Sequence, residues 1–161
     1  MPKICDLREL IPVRKTYKKE NKKVVFTNGC FDILHRGHIH LFREAKKQGD
    51  VLIVAVNDDS SLRRIKGPAR PIFPLEERME VLAAIADIDY LVSFSEDTPR
   101  ETISALLPDV LVKGGDWTPD EVVGKKEVEE FGGKVVLVPF LPHHSSTDII
   151  QRIIRLSRGA E

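Results

Sequence analysis

Thr27-Asn28-Gly29-Cys30-Phe31-Asp32-Ile33-Leu34-His35-Arg36-Gly37-His38 is the stretch whose reading decides the rest of this chain. It follows the apolar run Val24, Val25, Phe26 and leads into a helical pattern through Leu41, Phe42 and Ala45. A strand that turns through a glycine into a helix start presents free backbone N–H groups and the positive end of a helix dipole, and together these attract anions. His35 and His38 stand about one helical turn apart at that point and add two donors. The pattern reads as a site for the α-phosphate of a nucleotide, with Gly37 keeping a side chain out of the way of the phosphate.

Outward from this stretch, apolar strand patterns alternate with helical ones. The first strand is expected at about 23–28, and a helix near 36–48 stops at Gly49. Val51 to Val56 is a continuous β-branched run, as in a strand buried on both faces. A short helix with Leu62 and Ile65 follows, then a basic loop around Lys66-Gly67-Pro68-Ala69-Arg70-Pro71, then a helix started by Pro74. Further strands are expected at Tyr90 to Phe94, Val110 to Val112 and Val135 to Val138, with helices near 98–107 and 124–131 between them. Ser145 or Ser146 caps a last amphipathic helix bearing Ile149, Ile150, Ile153 and Ile154. The expected fold is a single Rossmann-like α/β domain, a parallel sheet of about five strands with helices on both faces, over 22–161. Residues 1–21 read as a lead-in helix capped by Asp6 and ended or kinked by Pro12. The polar clusters 28–38, 57–59, 113–117 and 143–147 all fall at carboxyl ends of strands, where such sheets bind ligands.

Composition sets the outer limits. The 161 residues carry 25 Lys and Arg against 25 Asp and Glu, so no global field draws in nucleic acid or an anionic membrane. The basic run Arg14, Lys15, Lys18, Lys19, Lys22, Lys23 reads as a solvated face. Two cysteines, no signal-peptide pattern and no apolar run of membrane length give a cytoplasmic expectation. There is no G-x-G-x-x-G after the first strand, which argues against a dehydrogenase, and Gly124-Lys125 lacks the rest of a P-loop. Zinc at Cys30, His35, His38 and His40 ranks behind phosphate chemistry and behind plain capping histidines, because the spacing fits no common zinc site.

The pattern T-x-G-x-F-D-x-x-H-x-G-H at Thr27–His38, with Ser145-Ser146-Thr147-Asp148-Ile149-Ile150 near the end, resembles the nucleotidyltransferase superfamily of cytidylyltransferases and pantetheine-phosphate adenylyltransferase. Phe26 to Asp32, Val112-Lys113-Gly114-Gly115-Asp116 and Val138-Pro139-Phe140 are similar to the adenylyltransferase domain of bacterial ADP-heptose synthase. That domain is often fused to a sugar kinase, for which this chain has no room, so a stand-alone version is expected. The resemblance implies transfer of AMP from ATP to D-glycero-D-manno-heptose 1-phosphate, giving ADP-heptose and pyrophosphate, with Mg²⁺ bound alongside ATP. Cytidylyl transfer, adenylyl transfer to FMN and a non-catalytic nucleotide-binding module are the alternatives.

Residue by residue, the resemblance implies that His35, His38 and Lys46 act on the phosphates. It gives Asn28, Gly29, Cys30, Phe31 and Gly37 the turn around the α-phosphate, and Arg78 a phosphate contact. Asp116 meets the nucleotide sugar, and Ser145, Ser146 and Thr147 cap the last helix and donate to the β- and γ-phosphates. Phe140, where glycerol-phosphate cytidylyltransferases have arginine, favours the adenylyl reading. His143-His144 replaces an expected glycine-containing segment. Relatives commonly form homodimers, while the sequence itself leaves the oligomeric state open.

Overall fold

Strand order fixes where a ligand can sit. The computed structural model describes residues 3–139, 141 and 144–159; Phe140 and His143 lie outside the described residues. Six strands, β1 (Lys3–Ile4), β2 (Val24–Gly29), β3 (Val51–Asn57), β4 (Tyr90–Phe94), β5 (Val110–Gly114) and β6 (Lys134–Val138), form one sheet in the order β1-β4-β3-β2-β5-β6. Every pairing is parallel. The chain steps outward from β2 to β3 and β4, then returns to place β5 on the other side of β2. The carboxyl ends of β2 and β5 therefore flank the point where strand order reverses, the crevice used by ligands in such sheets.

The six strands correct the expected five. The additional one, β1, is a two-residue edge pairing with exposed side chains, too short to leave a hydrophobic pattern. The helices are α1 (Leu7–Lys19), α2 (Arg36–Lys46), α3 (Asp59–Lys66), α4 (Leu75–Ala83), α5 (Arg100–Leu106), α6 (Lys125–Glu130) and α7 (Ser146–Arg158). Alternating strand residues feed two cores. Val25, Leu52, Val54, Leu91, Val110 and Val112 pack with Phe42 and Ala45 of α2 and Met79 and Leu82 of α4. On the opposite face, Val24, Phe26, Ile53, Val92 and Leu111 meet Leu10 of α1, Ile103 and Leu106 of α5 and Val128 of α6. Helix α7 buries no residue, and Ile153 and Leu156 stay exposed.

Two local expectations change. Helix α1 does not end at Pro12 but continues to Lys19, and its start is secured by an Asp6–Glu9 capping box. Within the basic run, Arg14 is no surface charge: it is 5% exposed. Its Nε donates to Leu106 O at 3.1 Å, and its Nη2 donates to Leu107 O at 2.8 Å and Asp109 Oδ1 at 3.0 Å. Leu107 ends α5 in the left-handed region (φ 44), so Arg14 satisfies carbonyls that a helix end leaves unpaired. Asp109 Oδ2 in turn accepts from Val24 N at 2.8 Å, tying α1 to the start of β2. Arg14→Ala is expected to cost about 3 kcal/mol in a denaturant unfolding titration, because it leaves Asp109 and two carbonyls short of a donor. A loss below about 1 kcal/mol would show the contact to be incidental.

Candidate active site

The cleft at the β2–β5 junction has a volume of about 310 Å³ and is walled by four segments. The end of β2, the turn after it and the first turn of α2 supply Asn28, Gly29, Cys30, Phe31, Asp32, His35, Gly37 and His38; Lys66 ends α3, and Arg70 comes from the loop after it. Lys113 and Gly114 end β5 and Trp117 follows it; Val138 ends β6, and Pro139, His144 and Ser145–Thr147 follow. Clefts of this size hold cofactor-sized ligands.

His35 is the N-cap of α2, in extended conformation, and its Nδ1 accepts from Gly37 N at 3.1 Å. That bond fixes the tautomer: in the neutral ring the proton sits on Nε2, leaving a donor for the cleft. His38 stacks on His35 with ring centroids 3.7 Å apart and 25° between planes, and its other side meets the Phe31 ring edge-on at 5.2 Å. Its Nδ1 is buried without a hydrogen-bond partner among the described residues. Burial, followed by the proximity of His35, lowers the His38 pKa from 6.5 to about 3. Burial and His144 lower that of His35, partly opposed by Asp148. Both rings are thus neutral donors in the free protein, poised to gain from an anion brought between them and α7.

The glycines serve neighbours inside the turn. A Cβ on Gly37 would lie 3.0 Å from the His35 ring and 3.2 Å from His144 O, so the space it leaves is taken by the capping ring and the β6–α7 segment. A Cβ on Gly29 would lie 2.9 Å from the Phe31 ring. Phe31 itself takes a left-handed backbone (φ 46) with its ring buried against His38 and Phe42. Such strain in a bulky residue is found where a site holds the backbone out of its preferred region. Helix α7 closes the far side: Ser145 caps it by accepting from Asp148 N at 3.0 Å, and Ser146 Oγ donates to Ile33 O at 3.0 Å. Thr147 is exposed in the cleft wall.

Three expected residues are placed elsewhere. Lys46 ends α2, about 16 Å along the helix from His35. Its Nζ donates to Asp89 Oδ2 and to Asp50 O, at the amino-terminal ends of β3 and β4, so a phosphate at the opposite, carboxyl ends is out of its reach. Arg78 is 2% exposed beneath the cleft. It donates to Cys30 O at 2.6 Å, Asn57 O at 2.9 Å and Phe73 O at 3.0 Å, and pairs with Asp59 at 2.8 Å. Four of its five N–H groups are engaged in this way, three on backbone carbonyls and one on a carboxylate, so Arg78 braces the strand ends and does not line the cleft. Asp116 is exposed in the turn beside Trp117 and does not line the cleft.

Two functional positions went unassigned in the sequence reading. Asp32, 3% exposed, accepts from Ile72 N at 2.8 Å and Phe73 N at 3.0 Å and pairs with Arg70, pinning the loop over the cleft. Burial raises its carboxyl pKa, but these donors outweigh burial and the net shift is downward. Lys113 is the other, its Nζ 3.2 Å from Asn28 Oδ1 and 5.4 Å over the Trp117 ring. The motif aspartate and the lysine preceding two glycines were the available signals. Among the described residues no three His, Cys, Asp or Glu side chains group as metal ligands, and no helix is long and apolar enough to cross a membrane.

Two measurements check this placement. A histidine whose folded pKa is depressed contributes stability in full above 6.5 and loses it as pH falls toward the folded value. The melting temperature of the free protein is therefore expected to fall from pH 6.5 to about pH 4.5, above the range where Asp32 and Asp109 titrate, with a flatter profile in His38→Gln. Equal slopes would contradict the buried neutral ring. Lys46→Met is expected to cost about 1 kcal/mol of stability while leaving turnover within about twofold, and a large loss of turnover alone would return Lys46 to the site.

Comparison with known proteins gives the family and the fold. The cytidylyltransferase-like family model matches residues 26–152. The chain is 51% identical over 153 residues to the bifunctional protein HldE of Geobacter metallireducens, covering 95% of this chain and 31% of that protein. It is 52% identical over 142 residues to HldE of Shigella sonnei, covering 88% of this chain and 30% of that one. The chain thus spans about 30% of the length of these curated relatives. Among solved structures, the lipopolysaccharide core biosynthesis protein of Thermoplasma volcanium superposes with a TM-score of 0.61 at 31% identity, covering 74% of this chain and 97% of that one. Pantoate-beta-alanine ligase of Francisella tularensis shares the fold, with a TM-score of 0.64 at 19% identity over 96% of this chain and 80% of that one. By matched span and identity, this chain belongs to the cytidylyltransferase-like family.

Proposed function

We propose that the cleft transfers AMP from ATP to a sugar 1-phosphate, D-glycero-D-manno-heptose 1-phosphate being the acceptor the sequence resemblance implies. The observation that carries this reading is the stacked pair of neutral imidazoles at the α2 N-terminus, beside the hydroxyl-rich N-terminus of α7 that lines the same cleft. Two helix N-termini converging on one space suit a polyphosphate. The similarity to a lipopolysaccharide core biosynthesis protein supports a sugar-linked acceptor.

In this reaction a phosphate oxygen of the acceptor attacks the α-phosphorus, the bond from that phosphorus to the bridging oxygen breaks, and pyrophosphate leaves with the electron pair. No covalent intermediate with the protein is needed, so catalysis consists of placement and stabilisation of charge. His35, with Nδ1 occupied by Gly37 N–H, offers Nε2–H to an α-phosphate oxygen. His38, held by His35 and Phe31, offers a second donor from the same side. As negative charge grows on those oxygens the depressed imidazole pKa values rise, strengthening both hydrogen bonds in the transition state. The α7 N-terminus and Thr147 receive the outer phosphates. Mg²⁺ carried in on ATP would neutralise the leaving pyrophosphate, a binding mode that needs no protein cage.

Pyrophosphate release, measured with ATP or CTP against a panel of sugar and polyol phosphates, tests the assignment. Release is expected with ATP and a heptose 1-phosphate. Release with CTP alone would reverse the base assignment, and none with any acceptor would leave a binding module. In the same assay His38→Ala is expected to lower kcat by at least about a hundredfold, as when an oxyanion donor is removed. Near-normal turnover would remove His38 from the chemistry.

A further inference from the structure

Joining a phosphate monoester to an α-phosphate brings two anions to bonding distance, and the two histidines that grip one of them are neutral before it arrives. A cation is needed on the other wall. The cleft's basic side chains are Lys66, Arg70 and Lys113. Arg70 is committed to Asp32, and Lys66 is exposed at the end of α3. Lys113 is half-buried, and among the described residues no carboxylate lies within ion-pairing distance of it. What it has are two neutral partners, the Asn28 amide oxygen and the Trp117 ring. Side-chain alternation along β2 and β5 puts Asn28 and Lys113 on the face of Phe26 and Leu111, opposite the face covered by α2 and its histidines. The α2 and α7 N-termini, joined by Ser146 to Ile33 O, make up the half suited to the triphosphate. In-line displacement requires the acceptor to approach from the side away from the leaving pyrophosphate.

We propose that Lys113, steadied by Asn28 and Trp117, is the cation that binds the phosphate of the acceptor. The inference rests on the cleft being a nucleotidyltransferase site and adds which side chain selects an anionic acceptor. Burial lowers the Lys113 pKa, partly opposed by Cys30, so the side chain carries a desolvation cost that an incoming dianion offsets.

Acceptor and nucleotide affinities are to be measured separately in Lys113→Met and Lys113→Arg, after melting curves establish that both fold. With ATP saturating, Lys113→Met is expected to lower kcat/KM for the acceptor by at least about tenfold, with partial recovery in Lys113→Arg. Its calorimetric affinity for α,β-methylene ATP is expected to stay within about twofold of wild type. An unchanged kcat/KM for the acceptor, or an equal loss of affinity for the ATP analogue, overturns the proposal. If wild-type protein turns over no acceptor, the proposed function fails, and the inference is read instead from inorganic phosphate titrated into protein saturated with the analogue. Weaker phosphate binding by Lys113→Met then supports the role of Lys113, and equal binding overturns it.

Discussion

A parallel sheet closes its strand ends with loops, and only where neighbouring loops turn to opposite faces does a crevice open between them. Here that place is the gap between β2 and β5, created because the chain builds β3 and β4 on one side of β2 before crossing to the other. Everything chemical follows from it. The turn leaving β2 goes to the α2 face and leads into the histidines; the end of β5 carries Lys113, and the turn after it carries Trp117. The two walls differ in charge as well as position: donors without charge on one, and on the other a lysine that has no carboxylate partner among the described residues.

The imidazole pair illustrates how such a wall is made. A histidine at an N-cap position spends one nitrogen on the helix, and the bond that caps α2 also orients the second nitrogen outward. The ring next to it is wedged between this cap and a phenylalanine held in a left-handed backbone conformation. Packing holds these rings in place more than hydrogen bonding does. A neutral pair also repels nothing when a dianion is absent, so the free protein tolerates the arrangement.

Much of this could be read from the chain. Continuous apolar runs such as Val51–Val56 mark strands buried on both faces, and β3 is buried along its whole length. The cap at Ser145 and the cleft built from strand ends follow from the same local rules. What could not be read was set by partners distant in sequence. Lys46 looks like any cation near a motif until Asp89 takes it, and Arg78 looks like a phosphate ligand until three carbonyls surround it. Arg14 sat in a run of charges that pattern alone assigns to solvent, although α5 needed a donor for its last carbonyls. Edge strand β1, with two residues, carries too little pattern to register.

Arg78 has one more consequence. Because a single guanidinium grips the carbonyls of Cys30, Asn57 and Phe73 and the carboxylate of Asp59, the ends of two adjacent strands, the loop before α4 and the first turn of α3 share one fastening. Loosening it would shift the Cys30 turn without removing any group that meets substrate. Kinetics would then resemble those of a missing ligand, so a rate defect at this position reports on alignment and cannot by itself identify contact.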